Sequence, residues 1–156
     1  MRHEHEDEGQ VSLLILVYCL IAAALVAVVA SATAVHLVRH RLMAVADNAA
    51  LAAADRLDLA AYFARGSVPE RPDGVIQLTD DAVRAEVNEF LVSTGAPASF
   101  NELGVGRSTG TSDGVTAEVT LTARAQLPFV SSVFSGWAGG VPVTVTARAR
   151  SAAVRA

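Results

Sequence analysis

An uncharged apolar run dominates the first part of the chain. No charged residue occurs between Val11 and Val35, and most positions in this run are leucine, valine, isoleucine or alanine. As a helix the run extends roughly 37 Å, which exceeds the bilayer's hydrocarbon thickness of about 30 Å. The pattern therefore predicts a transmembrane helix over 11–35, preceded by an acidic tail over 1–10.

The helical pattern continues beyond this run. Apolar residues, mostly alanine and valine, recur at steps of three or four and form one stripe on a helix; they include Val35, Val38, Leu42, Val45, Ala49, Ala53 and Ala60. No proline follows until Pro69, and Gly66 is a plausible stop. We expect one helix from about Val11 to Ala64, whose second half, 36–64, lies outside the lipid.

The middle of the chain predicts a small mixed unit. Residues 75–78 form a short apolar strand candidate. A helix is predicted over 80–94, and the hydroxyl of Thr79 is suited to cap its start. Asp80 and the next residue also place negative charge at the positive end of that helix. The following segment, 96–114, is rich in glycine and serine and predicts a loop.

Two later segments, 115–127 and 141–150, alternate strictly between apolar and polar residues. Each is therefore predicted to be a strand with one covered face and one wet face. Pairing the end of the first with the start of the second places Glu118 opposite Arg150. A sheet of two or three strands is not stable alone in water. The predicted fold is therefore α+β, a long helix packed on a small antiparallel sheet and anchored in a membrane.

The composition restricts the chemistry available to the chain. A net charge of −4 makes nucleic acid an unlikely partner. The single cysteine, Cys19, excludes an intrachain disulfide, and neither lysine nor any histidine follows Arg41. A catalytic triad is therefore not available there, and Asp80 and Asp81 are explained by a helix start. We expect no enzyme activity, no cofactor, no metal site and no small-molecule substrate.

Two other hypotheses remain open. A secretory signal could be cut near Ala32 or Ala34, where small residues form A-x-A patterns, and would release a soluble binding module. The acidic flank and the length of the apolar run disfavour this. The segment Met1–His5 contains two histidines and could bind copper or nickel, but a solvated acidic tail is the favoured explanation.

Two stretches carry a family resemblance. The segment Glu8–Ser12, the uncharged span after it, and the alanine-rich Leu42–Asp55 together resemble the start of TadE/TadG-like proteins. These are pilin-like proteins of the tight-adherence (Flp) pilus and related secretion systems. The resemblance covers roughly residues 8–60, and the later strands are similar in a less distinctive way. It implies a pilin-like fold and a role in pilus assembly at the cell membrane.

The resemblance also implies an orientation. One arginine precedes the span and two follow closely, which weakly favours the C-terminal side inside, whereas the alternating strands suit an extracytoplasmic domain. The residues alone leave this question open. The resemblance to TadE/TadG-like proteins implies that residues 1–10 are a cytoplasmic tail and that residues 36–156 form an extracytoplasmic domain.

Processing and assembly follow from the same resemblance. It implies cleavage between Gly9 and Gln10, but Leu14 stands where pilins carry a glutamate, which suits a minor pilin or an assembly protein. The expected partners are membrane lipid and other pilins or pilus-assembly proteins. Small residues would mediate helix association, namely Ala23, Ala27, Ser31 and Ala34. A second candidate is an apolar partner patch of Phe129, Val133, Phe134 and Trp137.

Overall fold

The computed structural model describes residues 4–63, 78–127 and 139–150, with side chains in the first helix described from 10 to 55. The first element, α1, is one uninterrupted helix of 60 residues over Glu4–Phe63, about 90 Å long. It begins earlier than the predicted Val11. The acidic residues that follow Glu4 suit the positive end of the helix and allow it to extend into the tail.

A second helix, α2, runs over Asp80–Ser93, within the range predicted for it. The hydroxyl of Thr79 accepts a hydrogen bond from the backbone N–H of Ala82 at 3.3 Å and caps the helix. Its inner face buries Val83, Val87 and Leu91, and α2 packs against α1. A one-turn helix, α3, follows at Ala96–Ser99.

The sheet has four antiparallel strands, defined as β1 (Asn101–Val105), β2 (Gly110–Thr111), β3 (Thr116–Ala125) and β4 (Val141–Arg150). The long central strand is β3. It pairs with β4 along one edge and with β1 and then β2 along the other. The loop predicted over 96–114 is therefore wrong, because this segment contains α3 and two short strands.

The predicted strand at 75–78 lies almost entirely outside the described residues. Its last member, Leu78, is buried and is not in a strand. The backbone N–H of Leu78 donates to the carbonyl of Gly114 at 2.8 Å. This contact ties the start of α2 to the turn before β3.

The predicted register between the two long strands is wrong by two residues. Glu118 lies opposite Arg148, not Arg150, and Ala125 lies opposite Val141. In the turn before β4, Gly140 has a φ of +75°, and an Arg124 guanidinium nitrogen donates to the Gly139 carbonyl at 3.0 Å. A shift of two leaves every side chain on the same face, so alternation could not distinguish the registers.

The core lies between the covered face of the sheet and one stripe of α1, as the sequence predicts. On α1 the stripe is fully buried and mostly alanine: Leu42, Ala46, Ala49, Ala50, Ala53 and Ala54. From the sheet it meets Ala117, Val119, Leu121 and Ala123 of β3 and Val143, Val145 and Ala147 of β4. Small side chains allow the helix to approach the sheet closely. The α+β fold class is confirmed, and we call this packed unit, with α2, the head.

The turn that leads into β3 supplies a pH-dependent contribution to stability. The Asp113 carboxylate accepts hydrogen bonds from the backbone N–H of Val115 at 3.0 Å and of Thr116 at 2.7 Å, and from the Thr116 hydroxyl at 2.8 Å. These bonds favour the charged form and lower the pKa of Asp113 from 3.8 to about 2. Protonation of Asp113 therefore weakens the turn.

We predict that Asp113→Asn lowers the melting temperature of the head above pH 4 and that this deficit shrinks as the pH falls toward 2. Because the folded pKa is depressed, the stabilisation is complete above the unfolded value of 3.8 and is lost as the pH falls through about 2. Thermal melts of both proteins across this range measure the difference. A deficit that stays constant with pH would contradict the assignment.

Candidate membrane and assembly surface

The first half of α1 exposes its large apolar side chains to the surroundings. They are between 45% and 67% exposed and comprise Val11, Leu13, Leu14, Ile15, Leu16, Val17, Tyr18, Leu20, Ile21, Leu25, Val26, Val28 and Val29. Consecutive residues point in all directions around a helix, so this part is apolar on every side. It extends roughly 28 Å, which is close to the hydrocarbon thickness of a bilayer.

This helix is the one element in the described part of the chain that is long and apolar enough to cross a membrane. Its most apolar window has a mean hydropathy of 3.1, and none of that window is buried. A soluble protein rarely leaves such an area exposed to water. The exposed half of α1 is therefore suited to lipid.

About three helical turns separate the exposed apolar half of α1 from the part that packs in the core. Val35 and Val38 are partly buried and pack against the core, and Leu42 is the first fully buried core side chain. Beyond Leu42 the helix is covered on one side and exposed on the other, with Asp47 and Asp55 exposed. One rigid helix thus connects the membrane-suited segment to the head without a linker.

The small-residue stripe predicted for helix association divides into an open part and a covered part. Ala23 is exposed and Ala27 and Ala34 are half-buried, whereas Ser31 is only 8% exposed. The Ser31 hydroxyl donates to the Ala27 carbonyl at 2.7 Å, so it is satisfied within the helix. Ala23 is therefore the member most accessible to a neighbouring helix, and Ser31 is the least accessible.

The predicted processing site lies at the start of the apolar half. Gly9 and Gln10 belong to α1, and Gln10 is exposed. Leu14, which stands at the position of the pilin glutamate, is 56% exposed. The predicted partner patch of Phe129, Val133, Phe134 and Trp137 lies outside the described residues.

A polar collar follows the apolar half. His36, Arg39, His40 and Arg41 are all exposed. The rings of His36 and His40 contact each other edge to face, with centroids 4.5 Å apart and planes inclined by 80°. The two arginine side chains at this position are suited to the headgroup layer.

A shallow polar depression of about 160 Å³ lies between α2 and β2. Two charged side chains of its lining bind backbone groups of the same protein. The Asp80 carboxylate accepts from the Thr111 N–H at 2.8 Å, and Arg84 donates to the Arg107 carbonyl at 3.1 Å. Glu118, also in its lining, pairs with Arg148 at 2.9 Å. The first two contacts join α2 to β2 and to the loop between β1 and β2, and the third joins β3 to β4.

The described residues contain no group of three or more histidine, cysteine, aspartate or glutamate side chains that could hold a metal ion. An apolar helix of spanning length continues into an α+β head, an architecture consistent with membrane anchoring.

Residues 9–56 match the model of the family described as putative Flp pilus-assembly TadE/G-like. The match confirms the family resemblance found in the sequence for this segment, which is about a third of the chain. The matched segment includes both the exposed apolar half of α1 and its buried alanine stripe, but no residue of the sheet. Among curated proteins and solved structures, none matches the chain.

Proposed function

We propose that the chain is a non-enzymatic, single-pass membrane component of a Tad/Flp-type pilus or a related secretion machinery. The observation that carries this proposal is the two-part helix α1. Within the family segment, an all-round apolar half is followed directly by a half that packs on the head. Such a helix holds a folded domain at a fixed height above the lipid surface.

In this proposal the protein acts as a minor pilin or an assembly protein through helix–helix association. In lipid, helices associate where small side chains let their backbones approach, and the exposed Ala23, with the half-buried Ala27 one turn later, provides part of this surface. Leu14 offers no carboxylate to pair with a neighbouring amino terminus. Because a pilin fibre subunit is expected to use that pair, its absence favours a minor or accessory role.

The proposed orientation places the amino terminus in the cytoplasm and the head outside. It is supported by the family match and by the alternating, threonine-rich strands β3 and β4. Proteolysis of intact spheroplasts distinguishes the two orientations. An external head is degraded by added protease, whereas an internal head is degraded only after lysis.

The association surface leads to a specific prediction. Ala27→Leu is expected to weaken crosslinking to other pilus components by about five-fold or more, equivalent to about 1 kcal/mol, because the larger side chain separates the helix backbones. Val28→Leu is the matched control, since Val28 is 63% exposed and lies on a different side of the helix. Both variants should insert into membranes normally. Unchanged crosslinking of Ala27→Leu would count against this surface.

The alternative is a secreted binding module released by a cut near Ala32 or Ala34. One observation is compatible with this alternative. The core contacts of α1 begin at Val35, so a head released by such a cut would keep the part of α1 that packs on the sheet. Mass spectrometry of the mature amino terminus decides between the hypotheses. A start at Gln10 supports pilin-type maturation, and a start at Thr33 or Val35 supports secretion. An intact Met1 supports an anchored, unprocessed protein.

A further inference from the structure

His36 and His40 form a close pair of imidazoles on the exposed side of α1. They are four residues apart, so they lie on one face of the helix. Their ring centroids are 4.5 Å apart, and both side chains are exposed. Neither residue belongs to the core, since both side chains are exposed. The nearby buried residue Leu42 lies on another side of the helix.

This spacing is the one that helices use to hold zinc between two histidines. Imidazole nitrogen is among the preferred ligands of Zn²⁺, and four-coordinate zinc can complete its ligand set with water. We propose that His36 and His40 together bind a zinc ion at the base of the head, with water in the remaining positions. The contact between the rings shows that the two imidazoles lie side by side on the helix, with centroids 4.5 Å apart.

The surroundings of the pair restrict but do not prevent such binding. Arg39 and Arg41 are the nearest cations in the sequence, and both are exposed. Repulsion between exposed charges is strongly screened by water and salt. The pair lies just past the uncharged run that ends at Val35, beside the exposed Arg39 and Arg41, whose charges suit the headgroup layer. The ion would therefore lie beyond the hydrocarbon, where water can reach it.

Isothermal titration of the full chain in detergent micelles with zinc chloride tests the proposal. A His3→Ala, His5→Ala background removes the tail imidazoles from the measurement. The expected result is saturable binding of one ion per chain. His36→Ala or His40→Ala should weaken it by about ten-fold or more, because the second ligand then no longer binds intramolecularly.

Two variants keep the number of histidines but change their spacing. His40→Ala with Arg41→His places the rings five residues apart, about 140° around the helix, and should bind as weakly as the single variants. His36→Ala with Ala44→His moves the pair by one turn, using the exposed position Ala44, and should restore the affinity. The imidazole NMR signals of the two rings should shift together as zinc is added.

Affinities that agree within about two-fold among the wild type, the single variants and the five-residue spacing would overturn the proposal, since chelation requires the four-residue spacing. The rings would then only pack against each other. Circular dichroism of each variant verifies that α1 remains helical. This result is independent of the proposed role in pilus assembly, because it is measured on the isolated protein.

Discussion

Leu42→Ala is expected to lower the free energy of unfolding of the head by about 2–5 kcal/mol. Leu42 is 0% exposed and is the largest side chain that α1 contributes to the core, where most of its partners on the helix are alanines. Truncation removes buried apolar surface and leaves a cavity that neighbouring alanines cannot fill. The head would then be held to α1 by much weaker packing.

Leu51→Ala is the matched control for this substitution. It makes the same chemical change on the same helix, but Leu51 is 53% exposed, so its cost should stay below about 1 kcal/mol. Hydrogen exchange of the β3 amides measures both effects, since a membrane-held α1 does not unfold with the head. Equal protection in the two variants would contradict the packing of the sheet on α1.

Thr109→Val is expected to cost about 1–3 kcal/mol, although it preserves the shape of the side chain. Thr109 is 1% exposed, and its hydroxyl accepts from the Thr120 N–H at 3.0 Å and donates to the Thr120 carbonyl at 3.2 Å. It thereby pairs with β3 at the point where β1 has ended and β2 has not begun. Valine leaves the buried Thr120 N–H without this acceptor.

Thr109→Ser retains the hydroxyl and should recover most of the lost stability. Hydrogen exchange at Thr120 provides the local readout, because its amide is the group that loses its partner. If Thr109→Val and Thr109→Ser protect that amide equally, the hydroxyl does not support the edge of the sheet.

The long helix could be predicted from sequence because its signals are redundant. The uncharged run and the stripe from Val35 onward both have helical periodicity, and no proline or glycine interrupts them between Gln10 and Phe63. The start at Glu4 was missed because an acidic segment reads as a solvated tail. Its compatibility with the positive end of a helix is a weaker signal than hydrophobicity.

The sheet was only partly predictable, because alternation defines faces and not partners. The observed register of β3 and β4 is accompanied by contacts that alternation does not encode, such as the bond from Arg124 to the Gly139 carbonyl. The strands β1 and β2 have no alternating pattern long enough to detect. They are held by contacts such as those of Thr109 and by the Gly106 N–H, which donates to the Thr120 carbonyl at 2.7 Å.

The candidate surface was likewise predictable from the sequence only in part. Hydropathy identified the exposed half of α1, and helical spacing identified the small-residue stripe. Spacing could not show that Ser31 is 8% exposed and bonded to the Ala27 carbonyl, because burial depends on the tertiary fold. The contact between the His36 and His40 rings likewise depends on rotamers, which a sequence does not specify.

Cys19 allows the central claim to be measured directly. It is the single cysteine of the chain and lies near the middle of the exposed apolar half of α1. A nitroxide attached to Cys19 in liposomes should collide readily with oxygen, which concentrates in hydrocarbon, and rarely with a water-soluble nickel complex. The same label at Thr144→Cys in a Cys19→Ser background, on the exposed face of β4, should show the reverse. Equal access of the nickel complex to both positions would contradict a helix that lies in the membrane.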